Sequence, residues 1–248
     1  MDPLATAFDE RLQEIEAYLN LLEALERQVT QGPPVIGEAP ITAQQQRILY
    51  SSVYLQLYNL VEATATWCID GVAAAAASGG RWQPCDLSAD LRREWVRAVA
   101  RTHTDMNYEN RLRVAVEVSD WLLEGRPVAA WAVEKGGGGN WDDMELEAIA
   151  SRLGCQLSVS KAAYKTIKQP VRDDKTPLVL VKFLRNKLAH GALSFTECGE
   201  NVTVKELRAI TDSAAGYLRE VVDHFQRFID NYSFLTPSKR PAAEGPPV

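Results

Sequence analysis

Apolar residues recur every three or four positions along most of this chain, which is the period of an amphipathic α-helix. The first such run extends from about Leu4 to Thr30, and a segment rich in proline and glycine, continuing to Pro40, separates it from a second run over residues 42–75. The second run is apolar nearly all round. We therefore expect it to form the central helix of the fold.

Further runs of the same period predict a mainly helical remainder. They lie at residues 90–102, 111–124, 140–153, 177–190 and 205–232. Two short segments, 192–197 and 201–204, flank Cys198-Gly199-Glu200 and predict a small β-hairpin. The fold class is therefore predicted as all-α, with one hairpin.

The same patterns predict the domain organisation. Residues 1–235 are expected to form a single helical domain, with a less regular helical insertion at about residues 80–170. Residues 236–248 are rich in proline and alanine, so we expect a disordered tail.

Composition narrows the function classes. The chain has 248 residues, of which 46% are hydrophobic, and this is enough for a sizeable core. Its four cysteines form no Cys-x-x-Cys pair, and the glycine run at 136–139 lacks the Lys-Ser/Thr of a phosphate-binding loop, so no metal or cofactor is expected. The start has no basic segment followed by an apolar run, and we expect a cytoplasmic protein with no membrane segment.

The net charge of −6 argues against a protein that coats nucleic acid by bulk attraction. Between Lys161 and His190, however, eight basic residues stand against two acidic ones. This local basic field can hold a phosphate backbone, and it makes Lys168, Lys175 and Lys182 candidate RNA-binding residues. A solvated helix face with scattered lysines explains the same charges equally well.

The most informative cluster places Arg185, Asn186 and His190 inside an apolar run. An unpaired buried polar group costs about 1–3 kcal/mol. These side chains must therefore form hydrogen bonds within the protein or take part in a functional site. Pro177 suits the first turn of this helix and Gly191 the position just past its end, which places His190 in the last turn. There the helix dipole favours an imidazolium, and histidine exchanges protons near neutral pH.

One copy of this cluster is incomplete as a site, because the spacing keeps two of its side chains apart. Arg185 lies about 140° from His190 around an ideal helix, whereas Asn186 faces the same way as His190. The arginine's long side chain, an unwound helix end or a second copy across a dimer axis would bring them together. In the central helix Asn59 and Glu62 share a face; Glu62 either makes a structural bond or, like Asn59, approaches and orients Arg185 or His190.

Arg185-Asn186-Lys187-Leu188-Ala189-His190 resembles the motif of the HEPN superfamily, in which an arginine and a polar residue are followed after three more residues by histidine. Other blocks are similar to a bacterial branch associated with conflict and defence loci, and the similarity covers most of residues 8–235. These blocks are Phe8 to Ile15, Leu57 to Ala63, Gly139-Asn140, and Leu188 to Gly191 followed by Ser194-Phe195. Residues 80–135 carry no matching motif.

The resemblance implies an antiparallel helical bundle that acts as a metal-independent endoribonuclease, with a composite site formed by two motifs in a homodimer. It implies proton transfer by His190, phosphate binding by Arg185 and orientation by Asn186, with Lys187, Glu62 and Asn59 in support. A toxin or antiphage role, with an antitoxin or operon partner, would follow. The alternative is a non-catalytic HEPN-like module that binds a partner protein or a nucleotide, or that dimerises.

Overall fold

The computed structural model describes residues 3–29, 32–102, 104–135 and 140–241. The all-α prediction is confirmed. The α-helices are α1 (Pro3–Val29), α2 (Ala43–Ala77), α3 (Ala89–Val99), α4 (Tyr108–Leu123), α5 (Asp143–Leu153), α6 (Lys161–Lys168), α7 (Pro177–Ala189), α8 (Phe195–Cys198) and α9 (Val204–Asp230). The short strands β1 (Val35–Ile36) and β2 (Ala39–Pro40) pair antiparallel before α2.

Each helix predicted from the periodicity is present, with its ends within about three residues of those expected. The short helix α6 was not predicted, because only Ile167 in it is buried and one position makes no period. Its start does carry a local signal, since the Ser160 hydroxyl accepts a hydrogen bond from the Ala163 N–H.

The β-hairpin predicted over residues 192–204 is wrong. Ser194 instead begins α8: its hydroxyl accepts a hydrogen bond from the Glu197 N–H, and the Glu197 carboxylate accepts one from the Ser194 N–H. This reciprocal pair is a capping box, which starts a helix. The hydrogen bonds from Ser194 also hold the pKa of Glu197 below its usual value. The Ser-x-x-Glu spacing was therefore a stronger signal than the β-branched residues around it.

The chain forms two compact units, and the first contains Met1–Thr64, Asn140–Met144 and Val159–Val221. It includes α1, α6, α7 and α8 together with the first parts of α2 and α9. Its core is built from large side chains that are almost completely buried. Among them are Phe8, Leu19, Tyr54, Leu57, Tyr58, Leu180, Val181, Leu207, Tyr217 and Leu218.

The second unit contains Ala65–Gly139, Glu145–Ser158 and Val222–Val248. Trp95 of α3 is 1% exposed and meets Trp121 of α4 edge to face, with ring centroids 5.7 Å apart. Next to Trp95, Glu94 is only 2% exposed, and its carboxylate is bound by two arginines. An Nη2 of Arg152 lies 2.6 Å from Glu94 Oε2, and Nη1 of Arg97 lies 3.1 Å from Oε1.

The first residues of the predicted tail are folded. Pro237–Lys239 form a 3₁₀ turn, and Lys239 Nζ lies 3.0 Å from Asp86 Oδ1. Residues 242–248 lie outside the described residues, as do the glycines at 136–139. The single-domain boundary at residue 235 stays a prediction.

One segment of the described chain, Ala43–Gly80, is long and apolar enough to cross a membrane by length and composition alone. Half of its most apolar window is buried within the protein. Core helices of globular proteins meet the same criterion.

Candidate functional site

The end of α7 fixes the backbone of His190. Gly191 adopts a left-handed φ of 67°, its N–H donates to the carbonyl of Leu188, and the Ala192 N–H donates to the carbonyl of Lys187. These two bonds form a Schellman motif, in which glycine is favoured after the helix end. The predicted place of Gly191 is confirmed, and His190 is the C-cap residue, one position past the last helical residue.

The side chain of His190 is exposed at this helix end. None of the residues that the structure describes forms a hydrogen bond with its ring. The carbonyls of Asn186 and Leu188 accept hydrogen bonds from its backbone N–H. The imidazole is thus available to a ligand, while its attachment point is held in place.

The guanidinium of Arg185 lies against the central helix α2. Its Cζ is 4.3 Å from the centroid of the Tyr58 ring, within the range of a cation–π contact. One Nη donates to the side-chain oxygen of Asn186 at 3.0 Å, and the other lies 4.0 Å from Glu62 Oε2. Arg185 is thereby positioned by an aromatic face, a neutral amide and one distant carboxylate.

A segment that precedes α5 completes this cluster. The Asn186 side-chain amide donates to Oδ1 of Asn140 at 3.0 Å, and the backbone N–H of Trp141 donates to the Tyr58 hydroxyl at 3.3 Å. Tyr58 is completely buried and Trp141 is 4% exposed, so both are fixed by packing. Arg185, Asn186, Tyr58 and Asn140 form one connected group, which we call the arginine cluster.

The arginine cluster leaves most of the charge of Arg185 available. The side chains of Arg185 and Glu62 are 32% and 42% exposed, and a 4.0 Å separation at such exposure makes a weak ion pair. A guanidinium carries five N–H donors in a planar fork, and a neutral amide cannot cancel its charge. The arrangement can therefore accept a bidentate anion such as a phosphate.

The structure brings together only some of the residues predicted for the site. Glu62 Oε2 lies 4.0 Å from Arg185, a contact that fits both interpretations of Glu62. Asn59 is exposed, and no described residue forms a hydrogen bond with its side chain. No hydrogen bond joins Arg185 to His190, in agreement with their separation around α7.

A match to a protein family covers the segment from Arg185 to His190 and the helices around it. The family model described as HEPN_MAE_28990-like HEPN matches residues 1–234. The chain belongs to this HEPN family. No curated protein and no solved structure gives a match.

Two lysines that the charge pattern suggested for RNA binding have other partners in this HEPN chain. Lys182 forms an ion pair with Asp142, and Lys168 forms one with Asp143. Both aspartates are buried, at 6% and 2% exposure, so each requires a cation nearby. The charges of Lys168 and Lys182 are thus compensated within the protein, and we do not assign these residues to an RNA surface.

The third lysine suggested for RNA binding, Lys175, and the predicted supporting residue Lys187 lie beside an exposed aromatic residue of α7. Lys175 Nζ is 4.7 Å from the centroid of the Phe183 ring and 3.2 Å from the carbonyl of Asp173. Lys187 Nζ is 5.6 Å from the same centroid. Neither forms an ion pair with a described carboxylate, so their charges remain on the surface.

Sequence reasoning missed two members of the arginine cluster, Tyr58 and Asn140. Both lie in blocks that carry the HEPN resemblance, Leu57 to Ala63 and Gly139-Asn140. Tyr58 was missed because a tyrosine in an apolar helix is typical of a core residue. The sequence signal for both residues was their position in these blocks.

Two other features of the HEPN chain bear on its chemistry. Burial raises the pKa of Cys155 to about 12 and that of Cys198 to about 11, so both thiols stay protonated and unreactive at neutral pH. Among the described residues, no group of three or more His, Cys, Asp or Glu side chains is placed to hold a metal ion.

Proposed function

We propose that this HEPN protein is an endoribonuclease that cuts RNA without a metal ion, with Arg185, Asn186 and His190 at its active site. The observation that carries this proposal is the state of Arg185. Its guanidinium is held by Tyr58 and Asn186 while most of its charge stays uncompensated, on the same helix as an exposed histidine. By contrast, Arg152 lies 2.6 Å from the buried carboxylate of Glu94, which compensates its charge.

The chemistry requires three kinds of group. The ribose 2′-oxygen forms a bond to phosphorus as the bond to the 5′-oxygen breaks, which leaves a cyclic phosphate and a 5′-hydroxyl. A base accepts the 2′-hydroxyl proton, an acid protonates the leaving 5′-oxygen, and a cation stabilises the negative charge of the phosphorane. His190 suits the proton transfers and Arg185 the charge stabilisation, while Asn186 positions Arg185.

The need for both a base and an acid supports a homodimer with a composite site. Each chain supplies one histidine from its motif, and a second copy would supply the other. A second arginine would arrive with it, which increases the positive charge around the scissile phosphate. We further infer a cytoplasmic toxin or antiphage effector that a partner protein restrains, on the strength of the resemblance to defence-associated HEPN proteins.

The decisive experiment compares the purified wild-type protein with Arg185→Ala and His190→Ala on end-labelled RNA in EDTA. Loss of one charge-stabilising or proton-transferring group is expected to slow cleavage by about 10²- to 10³-fold. His224→Ala is the matched control, because His224 lies in α9, outside the motif, and this variant should cleave normally.

Circular dichroism and thermal unfolding establish that each variant is folded. If folded Arg185→Ala and His190→Ala proteins cleave RNA as fast as wild type in EDTA, the catalytic assignment is wrong.

A non-catalytic HEPN module is the second candidate, and the acidic net charge of −6 favours it. In that case Arg185 would hold a nucleotide or a partner protein. Expression in a bacterial host separates the two, since a ribonuclease toxin should arrest growth in a manner relieved by His190→Ala. A module should leave growth unchanged with either form.

A further inference from the structure

Phe183 is an aromatic side chain that α7 leaves at the surface. It is 38% exposed, although the same helix buries six other apolar residues. Single exposed apolar residues are common, and Phe183 stands out because two lysine ammonium groups lie near its ring. Lys187 follows Phe183 by four residues and His190 follows Lys187 by three, so the three side chains lie along one face of the helix end.

The surroundings of Phe183 are positively charged. The ammonium groups of Lys175 and Lys187 lie 4.7 Å and 5.6 Å from its ring centroid. An exposed aromatic ring with two cations nearby is complementary to a nucleotide, which offers a base to the ring and phosphates to the lysines. It does not suit an apolar protein helix, which would have to cover both ammonium groups at a desolvation cost.

We propose that Phe183 is a stacking platform for an unpaired base of the RNA substrate, and this inference rests on the proposed ribonuclease function. Phe183 precedes His190 by seven residues, about 10 Å along a helix that rises 1.5 Å per residue. At a rise of 3.4 Å per nucleotide, the stacked base lies up to about three nucleotides from the scissile phosphate. The platform thereby sets the register of the strand relative to His190.

Base stacking competes successfully with the lysines that cover the ring. A cation over an exposed aromatic ring is worth less than a base stacked on one, so an incoming base displaces a lysine from Phe183. The displaced ammonium group stays within reach of the strand and can contact a phosphate. A base within a duplex is already stacked and cannot use the ring, so the substrate class is single-stranded RNA.

Binding is tested first, with His190→Ala as a background that leaves the RNA intact. A labelled single-stranded oligonucleotide is titrated with the His190→Ala protein and with the same protein carrying Phe183→Ala, Phe183→Leu or Phe183→Trp. We expect Kd to rise about tenfold for Ala and Leu and to stay near its starting value for Trp, which restores a ring. The matched control is Tyr164→Ala in α6, an exposed tyrosine that also has a lysine 5.4 Å from its ring.

Cleavage is tested second, in the protein that keeps His190. Phe183→Ala should raise KM for single-stranded RNA about tenfold with little change in kcat, and should leave the slow cleavage of a matching duplex unchanged.

The inference is overturned if Phe183→Ala binds and cuts single strands like wild type, or if Phe183→Leu matches Phe183→Trp. If wild type binds RNA through Phe183 but cuts nothing, the ribonuclease proposal fails and the platform survives, so the two failures are distinguishable.

Discussion

Two arginine–glutamate pairs in this protein consist of the same residue types but differ in distance and burial. In the second unit, Arg152 lies 2.6 Å from Glu94, whose side chain is 2% exposed and also meets Arg97. In the first unit, Arg185 lies 4.0 Å from Glu62, whose side chain is 42% exposed. Arg152 compensates a buried charge, whereas Arg185 is placed chiefly by Tyr58 and Asn186 and its charge stays largely uncompensated.

The difference teaches how to separate a structural arginine from a functional one. A buried carboxylate is costly without a partner, so the arginines around Glu94 stabilise the fold. An exposed and distant pair contributes about 0–1 kcal/mol, so Glu62 does not explain why Arg185 is where it is. An arginine held mainly by neutral groups is the one to test for binding.

The largest expected effect is on stability, in the second unit. Arg152→Ala removes a close partner of buried Glu94 and a hydrogen bond to the Glu134 carbonyl, and should lower the free energy of unfolding by about 3 kcal/mol. Arg185→Ala removes a weak ion pair and the cation–π contact with Tyr58, and should lower the free energy of unfolding by about 1–2 kcal/mol. Urea denaturation measures both, and a larger loss for Arg185→Ala would remove the distinction between the pairs.

The next effect concerns Tyr58, which supports Arg185 through its ring and Trp141 through its hydroxyl. Tyr58→Phe keeps the ring, so it should cost about 1 kcal/mol of stability with cleavage unchanged. Tyr58→Leu also removes the cation–π contact, worth about 1–2 kcal/mol, and should slow cleavage about tenfold at a temperature where both variants are folded. Equal cleavage by the two would show that the ring does not position Arg185.

The smallest effect is expected at Glu62. Glu62→Gln leaves the stability within about 0.5 kcal/mol, and it removes a negative charge near Arg185, so RNA should bind up to about fivefold tighter. The matched change Glu94→Gln disrupts the buried pair and should be strongly destabilising. A loss of cleavage in Glu62→Gln would instead assign that carboxylate a part in the reaction.

Periodicity predicted the helices well because it reflects burial, and buried residues recur at helical spacing in α2 and α7. Periodicity gives no information about which charged side chains form ion pairs. Lys182 and Asp142 are 40 residues apart, and Lys168 and Asp143 are 25 apart, so no local pattern reveals that these charges cancel. A charge count alone therefore overestimated the basic surface.

The site was predictable to the extent that it lies on one helix. Arg185, Asn186 and His190 could be found because they lie within six consecutive residues, the last five of α7 and its C-cap. The contacts that orient Arg185 come from α2 and from the segment before α5, and only folding brings Tyr58 and Asn140 to it. The blocks of the family resemblance already contained both residues, although their roles were not apparent.

The end of α7 has a consequence for the timing of the proposed reaction. His190 is anchored through its backbone by the turn at Gly191, while its exposed ring makes no hydrogen bond with the described residues. Exposed side chains change rotamer within picoseconds to nanoseconds, whereas enzymes typically turn over about ten times per second. The imidazole would therefore sample every orientation millions of times between reaction events. If the protein is the proposed ribonuclease, the position of the helix end relative to the scissile phosphate, rather than rotation of the ring, would limit the reaction.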